Sequence, residues 1–236
     1  MLRQGRSWRN TTPDLTADEV LIMKKRILCF GDSLTWGYDP VTCMRFDDDT
    51  RWTGVLQNLA GTGAVIIEEG QNGRTIATDD PTKGFKNGLT YVIPCVESHK
   101  PLDLMIIMLG SNDLKSKFRY TAGDIADEMK LMIESILAYN RFRMEDKMKI
   151  LLIAPPCITS TITGSRFADK FDASAAVTAR NIAPCYKALA DSYGIMFMDA
   201  SEYVEVSRED SLHLDREGQI KLGESVYKFL TDNGLL

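Results

Sequence analysis

Ile27-Leu28-Cys29-Phe30-Gly31-Asp32-Ser33-Leu34-Thr35-Trp36-Gly37 decides how the rest of the chain is read. Four apolar residues run into Gly-Asp-Ser, the pattern of a buried strand that ends in a tight turn with a serine hydroxyl at its tip. A strand-end serine is well placed for a nucleophile. It is equally the residue that caps a following helix, and this stretch alone leaves both readings open.

Further apolar segments repeat the pattern. Ala64–Glu68, Asp103–Leu109, Lys149–Ala154 and Ile195–Met198 read as four more short strands. Helices are expected between them at Trp52–Leu59, Leu89–Ser98 and about 172–192. Another is marked by Ile125, Met129, Met132, Ile133 and Ile136, the spacing of one buried helical face, so those methionines read as core filler. A last helix places Ile220, Leu222, Val226 and Phe229 inward. Five strands alternating with helices predict an α/β fold, a parallel sheet covered on both faces and joined by right-handed crossovers.

Composition narrows the function. The chain of 236 residues fits a single domain, read here as residues 23–236 behind an N-terminal tail or extension, residues 1–22, with a short helix over Leu15–Leu21. Net charge is −5 and the Lys and Arg residues are dispersed, so neither nucleic acid nor an anionic membrane is an expected partner. No apolar run approaches the roughly 20 residues that span a bilayer, and no apolar segment follows Arg3, Arg6 and Arg9 as in a secretory signal, so a cytoplasmic location is expected. The five cysteines form no C-x-x-C pair, and the two histidines, His99 and His213, lie in no zinc-type cluster. Reduced thiols, no cofactor and no catalytic metal are expected.

Ligands of parallel sheets bind at the carboxyl ends of the strands. There stand Ser33 after the first strand, Gly73 after the second, Asn112 after the third, and Asp210 and His213 after the fifth. Acyl transfer by serine needs a base for the hydroxyl, a carboxylate to orient the base, and donors for the oxyanion. His213 is the available base, and Asp210, three residues earlier, can fold back onto its Nδ1. The N–H groups of Ser33 and Gly73 and the amide of Asn112 are candidate oxyanion donors. The plainer readings are a surface histidine, a turn asparagine and a left-handed glycine. Asp32 is expected to support the turn, and His99 to face solvent. Trp36, Phe167 and Leu212 are candidates for lining a substrate pocket, with ordinary core packing as the alternative.

Gly31-Asp32-Ser33-Leu34, Gly73, Gly110-x-Asn112-Asp113 and Asp210-x-x-His213 resemble, in order, the four blocks of the SGNH, or GDSL, hydrolases. The resemblance runs from about Lys25 to the C-terminus. It implies a flavodoxin-like three-layer sandwich around a five-stranded parallel sheet, and a Ser-His-Asp esterase without cofactor or metal acting on a small-molecule ester. Arg51-Trp52-Thr53-Gly54 and Ile67-Glu68-Glu69-Gly70 are similar to the arylesterase and acyltransferase subgroup, which implies homo-oligomers and some acyl transfer to alcohols or peroxide. Gly73 in place of alanine, Tyr38-Asp39 after the nucleophile and a polar loop over 155–172 depart from that subgroup, and a wetter pocket favours hydrolysis over transfer. The polar stretch 157–166 keeps a carbohydrate acetyl esterase open. From another class, a flavin- or phosphate-binding module would use the first turn as an anion cradle but gives Asp210 and His213 no task.

Overall fold

The structure, a computed structural model, describes residues 24–82, 84–144 and 147–236. The tail over 1–22 and its expected helix lie outside the described residues. Five strands, β1 (Lys25–Gly31), β2 (Ala64–Gly70), β3 (Leu104–Met108), β4 (Lys149–Ala154) and β5 (Met196–Asp199), form one sheet in the order β2-β1-β3-β4-β5. Every pairing is parallel. This is the flavodoxin-like order, with its switch point between β1 and β3. The expected fold class and strand number hold, with boundaries moved by two residues or fewer.

Alternation along the central strands builds two cores. Leu28, Phe30, Met105, Ile107, Ile150 and Leu152 face α3 (Gly88–His99), α4 (Ala122–Arg143) and α5 (Ala173–Tyr193). Ile27, Cys29, Leu104, Ile106, Leu151 and Ile153 face α2 (Trp52–Ala60) and α6 (Arg216–Asp232). Ile125, Met129, Met132, Ile133 and Ile136 of α4 are all buried, as their spacing predicts. On α6 the buried face is rotated: Leu222 and Val226 are buried, Ile220 and Phe229 only half-buried, and Gln219 completely so. Gln219 accepts a hydrogen bond from Trp52 N at 3.0 Å and donates to Leu34 O at 3.1 Å. A polar residue thus joins α6, α2 and the short helix α1 (Ser33–Trp36) that follows β1.

Register brings the strand ends to one rim. Gly31 pairs with Gly70 on one side and Met108 on the other, so the segments that leave β1, β2 and β3 start level with one another. The fit there is close. A Cβ on Gly70 would lie 2.2 Å from Trp36 N, so only glycine lets α1 pack onto the end of β2. Arg74, buried, donates from Nη1 to the carbonyls of Gly31, at 2.8 Å, and Glu69, fastening the loop after β2 to both strand ends.

Candidate active site

Ser33 is the first residue of α1, and Asp32 caps that helix by accepting from Leu34 N at 2.9 Å. One turn later the chain leaves the helix at Gly37, whose φ of 83° is a left-handed value suited to glycine. The hydroxyl of Ser33 lies 2.8 Å from His213 Nε2, across 180 residues of sequence. His213 Nδ1 in turn lies 2.6 Å from Asp210 Oδ2.

A braced turn fixes that pair. Asp210 Oδ1 accepts from the N–H groups of Leu212, at 3.0 Å, and His213, at 2.8 Å, while Ser211 takes a left-handed φ of 63°. Ser207 N donates to His213 O at 2.7 Å, and Ser211 N donates to Ser207 O at 2.9 Å. Burial pushes the Asp210 carboxyl upward, but the hydrogen bond and charge of His213 and the two backbone donors outweigh it, so the carboxyl lies below its ordinary value. An ionised Asp210 in this position can hold an imidazole with its proton on Nδ1, an arrangement that would leave Nε2 free to accept from the serine hydroxyl.

Asp32 does more than support the turn. Its Oδ2 accepts from Asn112 Nδ2 at 3.2 Å, so one carboxylate caps α1 and holds the amide that follows β3. Burial pushes the Asp32 carboxyl up, against the lowering effects of Leu34 N–H, His213 and Arg74. The buried acid at this turn weighs against an anion cradle there. Asp113 accepts from Ile76 N at 3.0 Å and so ties the segments after β2 and β3 together.

Ser33, Gly73, Asn112, Phe167, Leu212 and His213 share one cavity of about 310 Å³. Trp36 does not line it. Its carbonyl accepts from Arg45 Nε at 2.7 Å and its ring lies 5.5 Å from the Arg45 guanidinium carbon, so the residue is turned toward the Arg45 loop. Tyr38, just past Gly37, takes that wall, its ring centroid 4.2 Å from that of His213, with Phe167 at 5.5 Å. Sequence reasoning noted Tyr38 only as a departure from a pattern, and gave no role to Asn72, Lys86, Lys115, Lys170 and Phe171, which also line the cavity.

The polar stretch 157–166 spends its hydroxyls elsewhere. Thr161 Oγ1 is 2.8 Å from Thr159 Oγ1 and 2.7 Å from Ser211 Oγ, and Thr163 and Ser165 bond carbonyls of their own turn. That loop braces the His213 turn from outside the cavity. His99 is half-buried, contrary to expectation, because Nε2 reaches Glu69 Oε1 at 2.7 Å. Glu69, Cys95 and His99 bring three potential ligand atoms within 4.8 Å of one another. Arg74 donates to the Glu69 backbone carbonyl beside this group, and none of the three residues lines the cavity.

Comparison with known proteins follows the same lines. The model of the GDSL-like lipase/acylhydrolase family matches residues 29–222. Est24, a carbohydrate acetylesterase from Sinorhizobium meliloti, is 34% identical with a TM-score of 0.83, the match covering 89% of this chain and 100% of that one. The M. smegmatis aryl esterase is 36% identical with a TM-score of 0.81, over 90% of this chain and 100% of that one. The comparison with curated proteins gives no match. Among the described residues, no helix is long and apolar enough to cross a membrane.

Proposed function

The chain belongs to the GDSL-like lipase/acylhydrolase family, and from that premise we propose that it is a serine esterase hydrolysing small acyl esters through Ser33, His213 and Asp210. The observation that carries the reading is the hydrogen-bonded line from Ser33 Oγ through the His213 ring to Asp210, 2.8 and 2.6 Å, opening on a cavity of about 310 Å³. A cavity of that volume suits an acyl chain and alcohol of modest size.

In the proposed reaction Ser33 Oγ attacks the ester carbonyl as His213 Nε2 takes its proton. The C=O π electrons move onto oxygen, and Ser33 N–H, Gly73 N–H and Asn112 Nδ2 receive the oxyanion. An amide nitrogen carries two hydrogens; Asp32 takes one from Asn112 and leaves the other for the oxyanion. Collapse expels the alcohol, protonated by His213. Water, deprotonated by the same imidazole, then attacks the acyl-enzyme and releases the acid and the serine. Attack by an alcohol in place of water gives acyl transfer, the minor branch of this proposal.

The direct test is turnover of p-nitrophenyl acetate with labelling by a fluorophosphonate. One label per chain on Ser33, with parallel loss of turnover, is expected; label elsewhere, or full activity after labelling, removes the assignment. Asn112→Ala is expected to lower kcat by about 10²–10³-fold with little change in KM, because the lost donor acts on the oxyanion and not on the ground-state ester. A drop confined to KM would mean that Asn112 binds substrate instead. Sugar acetates remain a second reading because Est24 is a carbohydrate acetylesterase; acetylated xylo-oligosaccharide compared with phenyl acetate separates the two.

A further inference from the structure

The cavity differs in charge from the chain that contains it. The chain carries a net charge of −5, yet among the described residues the cavity is lined by Lys86, Lys115 and Lys170 and by no Asp or Glu. Each lysine is held differently. Lys115 is buried, its Nζ 3.2 Å from Asp80 Oδ2, while Lys117 takes the other oxygen of the same carboxylate. Two ammonium groups thus share one acid, and of the two Lys115 lines the cavity while Lys117 stands behind it. Lys170 Nζ stands 5.1 Å from the Phe167 ring, which is 5.5 Å from the His213 ring. Among the described residues it pairs only with Asp169, 3.9 Å away and well exposed, which screens it weakly. Lys86 is half-buried and makes no ion pair among the described residues.

Gathering cations beside an apolar wall is unfavourable unless a counter-charge arrives, and a concave wall of one sign concentrates ligands of the opposite sign. We propose that the substrate is an ester bearing a carboxylate or comparable anion, which Lys86 and Lys170 bind at the rim with the Lys115–Asp80–Lys117 cluster behind them. This rests on the esterase reading and adds the substrate class to it. Ser33 and His213 act on the carbonyl; the lysines hold the charged end and set the orientation.

Matched esters test it. 3-Acetoxybenzoate against 3-acetoxybenzamide places the charge on the alcohol side, and monoethyl glutarate against ethyl pentanoate places it on the acyl side. At low salt the anionic member of at least one pair is expected to have about tenfold higher kcat/KM, falling as salt screens the attraction. The pair that responds locates the charged end. In the Lys86→Gln/Lys170→Gln double variant the anionic-to-neutral ratio is expected to fall toward one, a quotient in which any general loss of activity cancels. Equal or reversed preference in both pairs, with the neutral esters turned over, overturns the inference and leaves the esterase standing. Turnover of no ester at all, p-nitrophenyl acetate included, overturns both.

Discussion

Ser33→Ala is expected to lower kcat for p-nitrophenyl acetate by at least about 10⁴-fold, with KM and thermal stability little changed. The reason is specific to this hydroxyl. It is the atom 2.8 Å from His213 Nε2 and it opens on the cavity, so its loss leaves the imidazole with a proton acceptor site and nothing to activate. Stability is spared because Ser33 contributes to α1 through its backbone: the helix is capped by Asp32 and closed by Gly37 N–H on Ser33 O. The oxyanion donors are untouched, so a residue of catalysis by water should survive above the uncatalysed rate. A variant within tenfold of wild type would assign the nucleophile elsewhere.

The fold was legible because the central strands are buried on both faces. Residues 27–30, 104–109 and 150–154 are unbroken apolar runs, and their chemistry admits little else. Edge strand β2 was harder to bound: its residues after Ala64 are only half-buried, and Glu68 and Glu69 sit in its ladder paired with the buried Arg51 and the half-buried His99. Helix α6 shows a different limit. Gln219 is polar, and no apolar periodicity marks it, yet it is buried because its amide answers a backbone donor and a backbone acceptor on two other helices.

For the site, legibility divided along a similar line. Ser33, Gly73, Asn112, Asp210 and His213 stood out as reactive or turn-forming residues at strand ends, where parallel sheets expose their chain to ligands. The lysines did not. A lysine on a loop reads as solvated, and the approach of Lys86, Lys115 and Lys170 to one cavity depends on three segments far apart in sequence. Trp36 was drawn toward the pocket by its nearness to Ser33 in sequence, but the turn at Gly37 delivers Tyr38 to His213 instead. Arg74 was visible only as a loop residue; its task, joining the ends of β1 and β2, belongs to the sheet order.

Asp210→Asn is the sharper test of how the imidazole is used, and kcat is expected to fall by about 10⁴-fold. The asparagine keeps one oxygen, which can go on accepting from the N–H groups of Leu212 and His213, so the turn is retained. The other position becomes an NH₂ facing His213 Nδ1, where an acceptor had been. The ring then favours the tautomer protonated on Nε2, and Nε2 can no longer accept the serine proton. Asp210→Ala also removes the acceptor for both backbone donors and should cost stability as well as rate. Acid stability separates the roles again. Because the folded Asp210 carboxyl lies below its ordinary value, its contribution is present above the unfolded pKa and is lost as pH falls through the lower folded one. The Asn variant lacks that titration, so its Tm should fall less steeply in acid than that of wild type. Activity within tenfold of wild type, with an unchanged acid slope, would show that the carboxylate neither sets the tautomer nor carries the charge.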